Sequence, residues 1–282
     1  MTVRFVKMHG IGNDFPVFDH TQPGAPSLEQ IKAAAVALCD RRFGIGGDGT
    51  ISILPSEKAD FAMRMFNPDG SEAEMCGNGI RCFAKYIYDN GLSEKTELTV
   101  ETLAGIMVLV LTLDENNKVS QVRVDMGEPR LERAQLPMEG PSGRVLHEPL
   151  KLDGELLYIT GVSMGNPHIV FFPEHATDEI ILRVGPKLET HPSFPKRTNV
   201  HAAEVVGRDE LLMKIWERGA GPTLACGTGA CAVGVAAHLN GLTGRDVLIH
   251  LPGGDLRIQW GIDNHVYMTG SATTVYEGTI EL

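Results

Sequence analysis

Nowhere does this 282-residue sequence carry an apolar run able to cross a bilayer. Its longest, Ile106 to Leu113, falls far short of the roughly 20 residues that a spanning helix needs. The opening MTVRFVKMHGIGNDF lacks the uninterrupted apolar core and small-residue cleavage site of a secretory signal. From these absences a cytoplasmic protein that meets no membrane is expected. Basic residues are also short, 25 Lys and Arg against 36 Asp and Glu, for a formal charge of −11. That balance counts against nucleic acid as the main partner, yet leaves room for a local basic pocket that takes a small acid. The five cysteines (Cys39, Cys76, Cys82, Cys226 and Cys231) are odd in number, which argues against a disulfide framework and for free thiols. The ten histidines form no HxH or HExxH cluster, and neither Cys76/Cys82 nor Cys226/Cys231 has the short spacing of zinc knuckles. No metal site and no cofactor are expected.

What the chain does have is apolar residues enough, 43%, for a sizeable core, and length enough for two domains. It also has a repeat. Residues 76–92, CGNGIRCFAKYIYDNGL, and 226–242, CGTGACAVGVAAHLNGL, share six of seventeen positions, the Cys-Gly-x-Gly start and the Asn-Gly-Leu end among them. Gly12-Asn13-Asp14-Phe15 has a counterpart in Gly165-Asn166-Pro167-His168. VETLAGIMVLVL (100–111) pairs with IHLPGGDLRIQW (249–260), and VRVDMGEP (122–129) with HVYMTGSA (265–272). Four blocks in one order, at offsets between 143 and 153, imply a duplicated α+β domain.

Period-2 alternation predicts strands at Arg4–Val6, Ile51–Ile53, Met63–Phe66 and Thr99–Glu101. Behind Cys76 the spacing of Ile80, Phe83, Ala84, Ile87 and Tyr88 is helical, and Asn90-Gly91 supplies a stop. The second copy, Ala230 to Leu239, is small and apolar nearly all round, which predicts a wholly buried helix. The expected fold is two pseudo-symmetric domains, each a curled, barrel-like sheet around one central helix, with the active site between them. Boundaries are expected at 1–120 plus 271–282 for the half carrying Cys76, and 121–270 for the half carrying Cys226.

Both repeated cysteines precede a Gly-x-Gly turn that opens a helix. A helix N-terminus offers unpaired N–H groups and about half a positive charge, which binds carboxylates and lowers a nearby thiol's pKa. Two such sites facing one carbon centre would let a thiolate remove the proton from one face while a thiol returns one to the other. By contrast, Gly44-Ile45-Gly46-Gly47-Asp48-Gly49 matches GxGxxG in letters only. A dinucleotide fingerprint follows a strand and opens a helix, whereas here a β-like Thr50–Ile53 follows, so dinucleotide binding is set aside. Cys39, Cys82 and Cys231 lack the turn and read as core.

With both cysteine motifs in place, the chain resembles the diaminopimelate epimerases nearly end to end. The resemblance rests on KMHGIGNDF (7–15), FNPDGSEAEMCGNGIRC (66–82), SMGNPH (163–168), ERGAGPTLACGTGAC (217–231), LPGG (251–254) and YMTG (267–270). It implies an isomerase that needs no pyridoxal phosphate, interconverts LL- and meso-diaminopimelate for lysine and peptidoglycan precursors, and works as a homodimer. It implies Cys76 as proton donor and Cys226 as acceptor in the LL to meso direction. Gly77-Asn78 and Gly227-Thr228 would hold the reacting carboxylate. Glu217 and Arg218 would take the reacting amino group, and Arg218 would also pair with the distal carboxylate. Asn13, Asn67, Asn166 and Asn199 would recognise the distal head, and His168 stands where the family has a histidine important for activity. One departure is Gly49, where some members have a substrate-contacting Gln. Three other readings compete: a proline or hydroxyproline racemase, an isomerase of similar fold without the cysteine pair, and a non-catalytic thiol protein that binds metal or senses redox state.

Overall fold

The structure, a computed structural model, describes every residue except Pro23. The chain runs through Thr2–Gly10 (β1), Asn13–Asp19 (β2), Leu28–Cys39 (α1), Thr50–Leu54 (β3), Phe61–Phe66 (β4) and Glu72–Ala73 (β5). Gly77–Asp89 (α2), Glu97–Thr102 (β6), Gly105–Leu113 (β7) and Val119–Asp125 (β8) follow. After a 3-10 turn at Arg133–Gln135 come Glu148–Leu152 (β9), Glu155–Ser163 (β10), Pro167–Phe171 (β11), Asp178–Glu189 (α3), Asn199–Gly207 (β12) and Glu210–Glu217 (β13). Gly221–Pro222 (β14), Gly227–Leu239 (α4), Asp246–Leu251 (β15), Gly254–Trp260 (β16), Val266–Gly270 (β17) and Thr273–Glu281 (β18) complete it. Two compact units result: Met1–Val124 with Gly270–Leu282, and Asp125–Thr269.

The units have one topology. In the first, strands lie in the order β18, β1, β2, β3, β4, β6, β7, β8, parallel only at β2–β3 and β4–β6. In the second the order is β9, β10, β11, β12, β13, β15, β16, β17, parallel only at β11–β12 and β13–β15. The last strand of the chain thus fills, beside β1, the place that β9 fills beside β10. Asp114–Lys118 forms the tight turn of the β7–β8 hairpin, and the units divide after Val124.

Each sheet curls around one helix. Helix α2 packs on β1, β2, β3 and β7, and α4 on β10, β11, β12, β13, β15 and β16. Of the residues at helical spacing in α2, Ile80, Phe83, Ala84 and Ile87 are fully buried as expected, while Tyr88, at the last turn, stays part-exposed. In α4 every residue from Ala230 to Val233 and from Val235 to Ala237 is at 0% exposure. Its valines each contribute about 2 kcal/mol of burial, and Gly234 lets Ile258 approach to where a Cβ would stand at 2.9 Å. Both helices stop on the same device. Gly91 and Gly241 adopt left-handed φ of 72° and 71°, and Leu92 and Leu242 return their N–H groups to Ile87 and Ala237.

Each unit also has a second helix that the expectation of one helix per domain omits. Helix α1 starts on a Ser27–Gln30 capping box and buries Ile31, Ala35 and Leu38. Helix α3 starts on Thr177 with Asp178 and Glu179 in its first turn and buries Ile181, Val184 and Leu188 against β12 and β13. Both start signals stand in the sequence, but one turn of α3 carries Pro186, which weakens the pattern.

Candidate active site

Cys76 and Cys226 occupy one structural position. Cys76 is the N-cap of α2 at φ −133°, ψ 116°, and Cys226 that of α4 at φ −130°, ψ 104°. In both, the extended cap turns the side chain back over the first helical N–H groups. Cys76 Sγ accepts from the Gly79 N–H at 3.4 Å. The remaining thiols are core: burial pushes Cys39 up to about 11 and Cys82 to about 12, and Cys231 has no exposed surface.

In the first unit, Cys76 meets Asn13 and Asn78. Asn13 Oδ1 accepts from the Cys76 thiol (3.6 Å) and from Asn78 Nδ2 (3.2 Å). Asn13 itself is held by the glycine-rich loop, because its Nδ2 donates to Asp48 Oδ2 at 2.7 Å. That loop is pinned by charge: Arg41 spans Asp14 and Asp48, each at 2.7 Å, and the buried Lys7 ammonium reaches Asp14 at 2.6 Å. Burial alone would raise Asp14, but the hydrogen bonds and charges of Arg41 and Lys7 prevail and hold it below the usual carboxylate range. The GxGxxG letters therefore mark an anchor for Asn13. They also hold Gly49 close to β4, where a Cβ would meet the Phe66 carbonyl oxygen at 2.8 Å and so require the backbone to shift. Beneath the helix start, the fully buried Arg81 donates to the carbonyls of Gly77 (3.2 Å) and Ser271 (3.0 Å) and fixes the turn. Asn67 lies in the β4–β5 turn, where it donates to Ser71 Oγ at 3.0 Å.

In the second unit, a hydrogen-bond chain has only one consistent direction. Asn166 Nδ2 donates to Thr228 Oγ1 at 3.3 Å, so Asn166 Oδ1 must accept from His168 Nε2–H at 3.0 Å. His168 Nδ1 is then bare and accepts, at 2.9 Å, from Nε2–H of His201. Nδ1 of His201 ends the chain without a partner. At the other end the Thr228 hydroxyl, which accepts from Asn166, keeps its O–H available for Cys226 Sγ, 3.7 Å away. Nothing in the sequence distinguishes His201. The parallel β11–β12 register, in which Val170 faces His201 and His168 faces Asn199, brings it beside His168.

Glu217 lies at the end of β13, where the Thr223 hydroxyl donates to it at 2.6 Å. Arg218 is exposed, with Nη1 on the Lys196 carbonyl at 3.1 Å. Asn199 is buried and holds both neighbours, donating to the Pro167 carbonyl (2.8 Å) and accepting from the Arg218 N–H (3.0 Å).

At Cys226 the electrostatics departs from the expected lowering of the thiol. Burial, together with the Glu217 carboxylate, pushes the Cys226 thiol well up; the Thr228 hydroxyl and the Gly229 N–H pull it down too weakly to compensate. With the Glu217 carboxylate beside it and no neighbouring cation among the causes that act on it, the Cys226 thiol holds its proton. Both histidines are neutral: burial and the nearby His201 and Arg218 push His168 well down, and burial alone takes His201 to about 3.

An acid sensitivity follows. The unfolded chain binds protons on these rings near pH 6.5, whereas the folded chain refuses them, so stability is complete above that value and falls as pH drops toward 3. For His201, about 2 kcal/mol should be lost by pH 5. Urea unfolding of wild type and His201→Gln at neutral pH and at about pH 5 checks this, and equal acid losses would remove the assignment.

A sequence profile for the family described as diaminopimelate epimerase matches residues 5–132 and 160–275. The diaminopimelate epimerase of Moorella thermoacetica is 55% identical over 281 residues, covering 99% of this chain and 100% of that one. Among solved structures, a phenazine biosynthesis protein of the PhzF family from Bacillus anthracis superposes with a TM-score of 0.72 at 19% identity, each chain covered in full. A probable proline racemase from Agrobacterium radiobacter, with bound carbonate, gives 0.70 at 15% identity over 99% of this chain and 93% of that one. These two likenesses speak for the fold alone.

Proposed function

The chain belongs to the diaminopimelate epimerase family, and from that membership we propose that it interconverts LL- and meso-diaminopimelate by a two-thiol proton exchange. The observation that carries the mechanism is the pair of N-cap cysteines with matching backbone angles, each at the start of its unit's central helix. In the LL to meso direction, Cys226 takes the α-proton as thiolate and Cys76 returns one to the opposite face; the reverse direction exchanges the roles. The N–H groups at Gly77-Asn78 and Gly227-Thr228 stabilise the carboxylate as it gains enolate character. The scheme asks nothing of a metal or a carbonyl cofactor.

Glu217 gives the acceptor its timing. Its carboxylate holds the Cys226 proton in the ligand-free protein, through charge and as an acceptor for the thiol. A substrate ammonium paired to Glu217 cancels that effect and lowers the thiol's pKa, so the base forms once the amino acid is bound. The directed chain from His201 through Asn166 then turns the Thr228 hydroxyl toward the sulfur and stabilises the thiolate. Asn13, Asn67, Asn166, Asn199 and Arg218 receive the distal amino-acid head, with Asn199 acting by placing Arg218.

This activity places the enzyme in lysine biosynthesis, and we assign it to the cytoplasm as a homodimer. Among the described residues no helix is long and apolar enough to cross a membrane. The outward side chains of β7, Ile106, Val108 and Val110, leave an exposed apolar row that suits a second copy.

Reduced protein incubated with LL-diaminopimelate in deuterium oxide tests the reading. The expected product is meso-diaminopimelate carrying α-deuterium. Exchange into proline with none into diaminopimelate would keep the chemistry and reject the substrate, and exchange into neither would reject both.

A further inference from the structure

We propose that His168 Nδ1, His201 Nε2 and Cys226 Sγ form an inhibitory site for a thiophilic divalent cation of the zinc type. The donor atoms of these three residues lie within 4.8 Å of one another, and all three residues are buried, at 0%, 0% and 5% exposure. Bonds of about 2.1 Å to nitrogen and 2.3 Å to sulfur, at tetrahedral angles, set such donors roughly 3.3–3.6 Å apart. The histidine nitrogens, at 2.9 Å, need only part by a few tenths of an ångström, and the sulfur, no more than 4.8 Å from either, needs to close by about 1 Å at most. Two imidazoles and one thiolate are a borderline-soft set that favours zinc or cobalt over magnesium or calcium, and they leave a fourth position for water.

The proton inventory suits the cation. His168 already presents a bare Nδ1 toward His201, because its Nε2–H is committed to Asn166. That outer bond fixes the ring as second partners of ligating histidines commonly do. His201 shifts its proton from Nε2 to the vacant Nδ1, which has no partner in the present arrangement, and frees the nitrogen that faces His168. Cys226 releases its thiol proton to solvent as the metal–sulfur bond forms. One cation therefore enters for one proton lost, and nothing is oxidised or reduced. Gly229 is what permits the cluster, for a Cβ there would stand 2.7 Å from His201 Nε2 and 3.0 Å from Cys226 Sγ. Occupation would withdraw Cys226 from proton transfer. That consequence rests on the epimerase reading, whereas the site itself does not.

Cobalt(II) serves as the probe because a thiolate ligand announces itself by a near-ultraviolet charge-transfer band and four-coordination by intense visible bands. Reduced wild-type protein should bind one cobalt per chain with both signatures. Cys76→Ser should retain them, Cys226→Ser should lose the thiolate band, and His201→Gln and His201→Phe should bind at least tenfold more weakly. Retained melting transitions separate ligand loss from misfolding. Zinc should displace cobalt and should stop deuterium exchange in wild type at concentrations at least tenfold below those needed in His201→Gln. Equal cobalt affinity in wild type and both His201 variants, or a thiolate band surviving Cys226→Ser, overturns the site. Cobalt binding that depends on His201 in a protein that exchanges no diaminopimelate would uphold the site and reject the epimerase.

Discussion

Replacing Cys226 with alanine is expected to lower kcat/KM for diaminopimelate epimerisation by about 10³- to 10⁴-fold, the full contribution of a positioned acid–base group. Cys76→Ala should cost a comparable factor, because a two-thiol exchange needs both partners in every turnover. The cost should appear chiefly in kcat, since neither sulfur is assigned to holding the substrate's charged groups. Cys231→Ala is the control. It lies on the same helix as Cys226, with no exposed surface, and should fall close to wild type in turnover. Deuterium incorporation from solvent, followed by mass spectrometry alongside product stereochemistry, reads both steps. Wild-type turnover by either single variant would reject the proton exchange, while equal losses in Cys231→Ala would trace the effect to packing of α4.

Gly229→Ala should be nearly as damaging without touching a reacting atom. Its Cβ would stand 2.6 Å from His201 Cε1 and 3.0 Å from Cys226 Sγ, and a buried ring between packed strands cannot simply swing away. Overpacking of this kind costs about 1–3 kcal/mol of stability. Displacing the sulfur or the His201–His168 bond should reduce kcat by about 100-fold, the size of misplacement effects in oriented sites. The matching change in the other half, Gly79→Ala, should be far milder. A Cβ there meets a flexible Ile51 methyl at 3.2 Å and Cys76 Sγ only at 3.6 Å. Pairing Gly229→Ala with His201→Ser should recover much of the stability, measured by urea unfolding. A double variant no more stable than Gly229→Ala alone would mean that His201 is not what the methyl group strikes.

The contrast between Gly79 and Gly229 marks where reading residues in order stops being sufficient. In sequence the two glycines are equivalent members of one repeat, and nothing separates them. The difference comes from β12, which lays a histidine over one glycine, where β3 lays an isoleucine over the other. Alternation or helical spacing exposed β1, β3, β4, β6 and α2, whereas α4 was legible from its small, all-round apolar composition behind a repeated helix start. Both extra helices carried start signals, but α1 is rich in alanine and α3 contains a proline, so neither pattern stood out.

The duplication, the sheet-rich fold, the family and the two cysteines at helix starts were all legible in the order of residues. Those features are local in the chain or repeat along it, so they survive without coordinates. What surrounds each sulfur came from folding, which joins segments far apart in the chain. It tied the Gly44–Gly49 loop to Asn13 through Asp48, set His201 beside His168 across a parallel register, and put Glu217 close enough to keep the Cys226 proton in place. The thiol's acidity shows the reason. A helix N-terminus is written in the order of residues and promises a low pKa, but burial and a carboxylate from β13 are supplied by distant segments. In the ligand-free protein those two outweigh the helix.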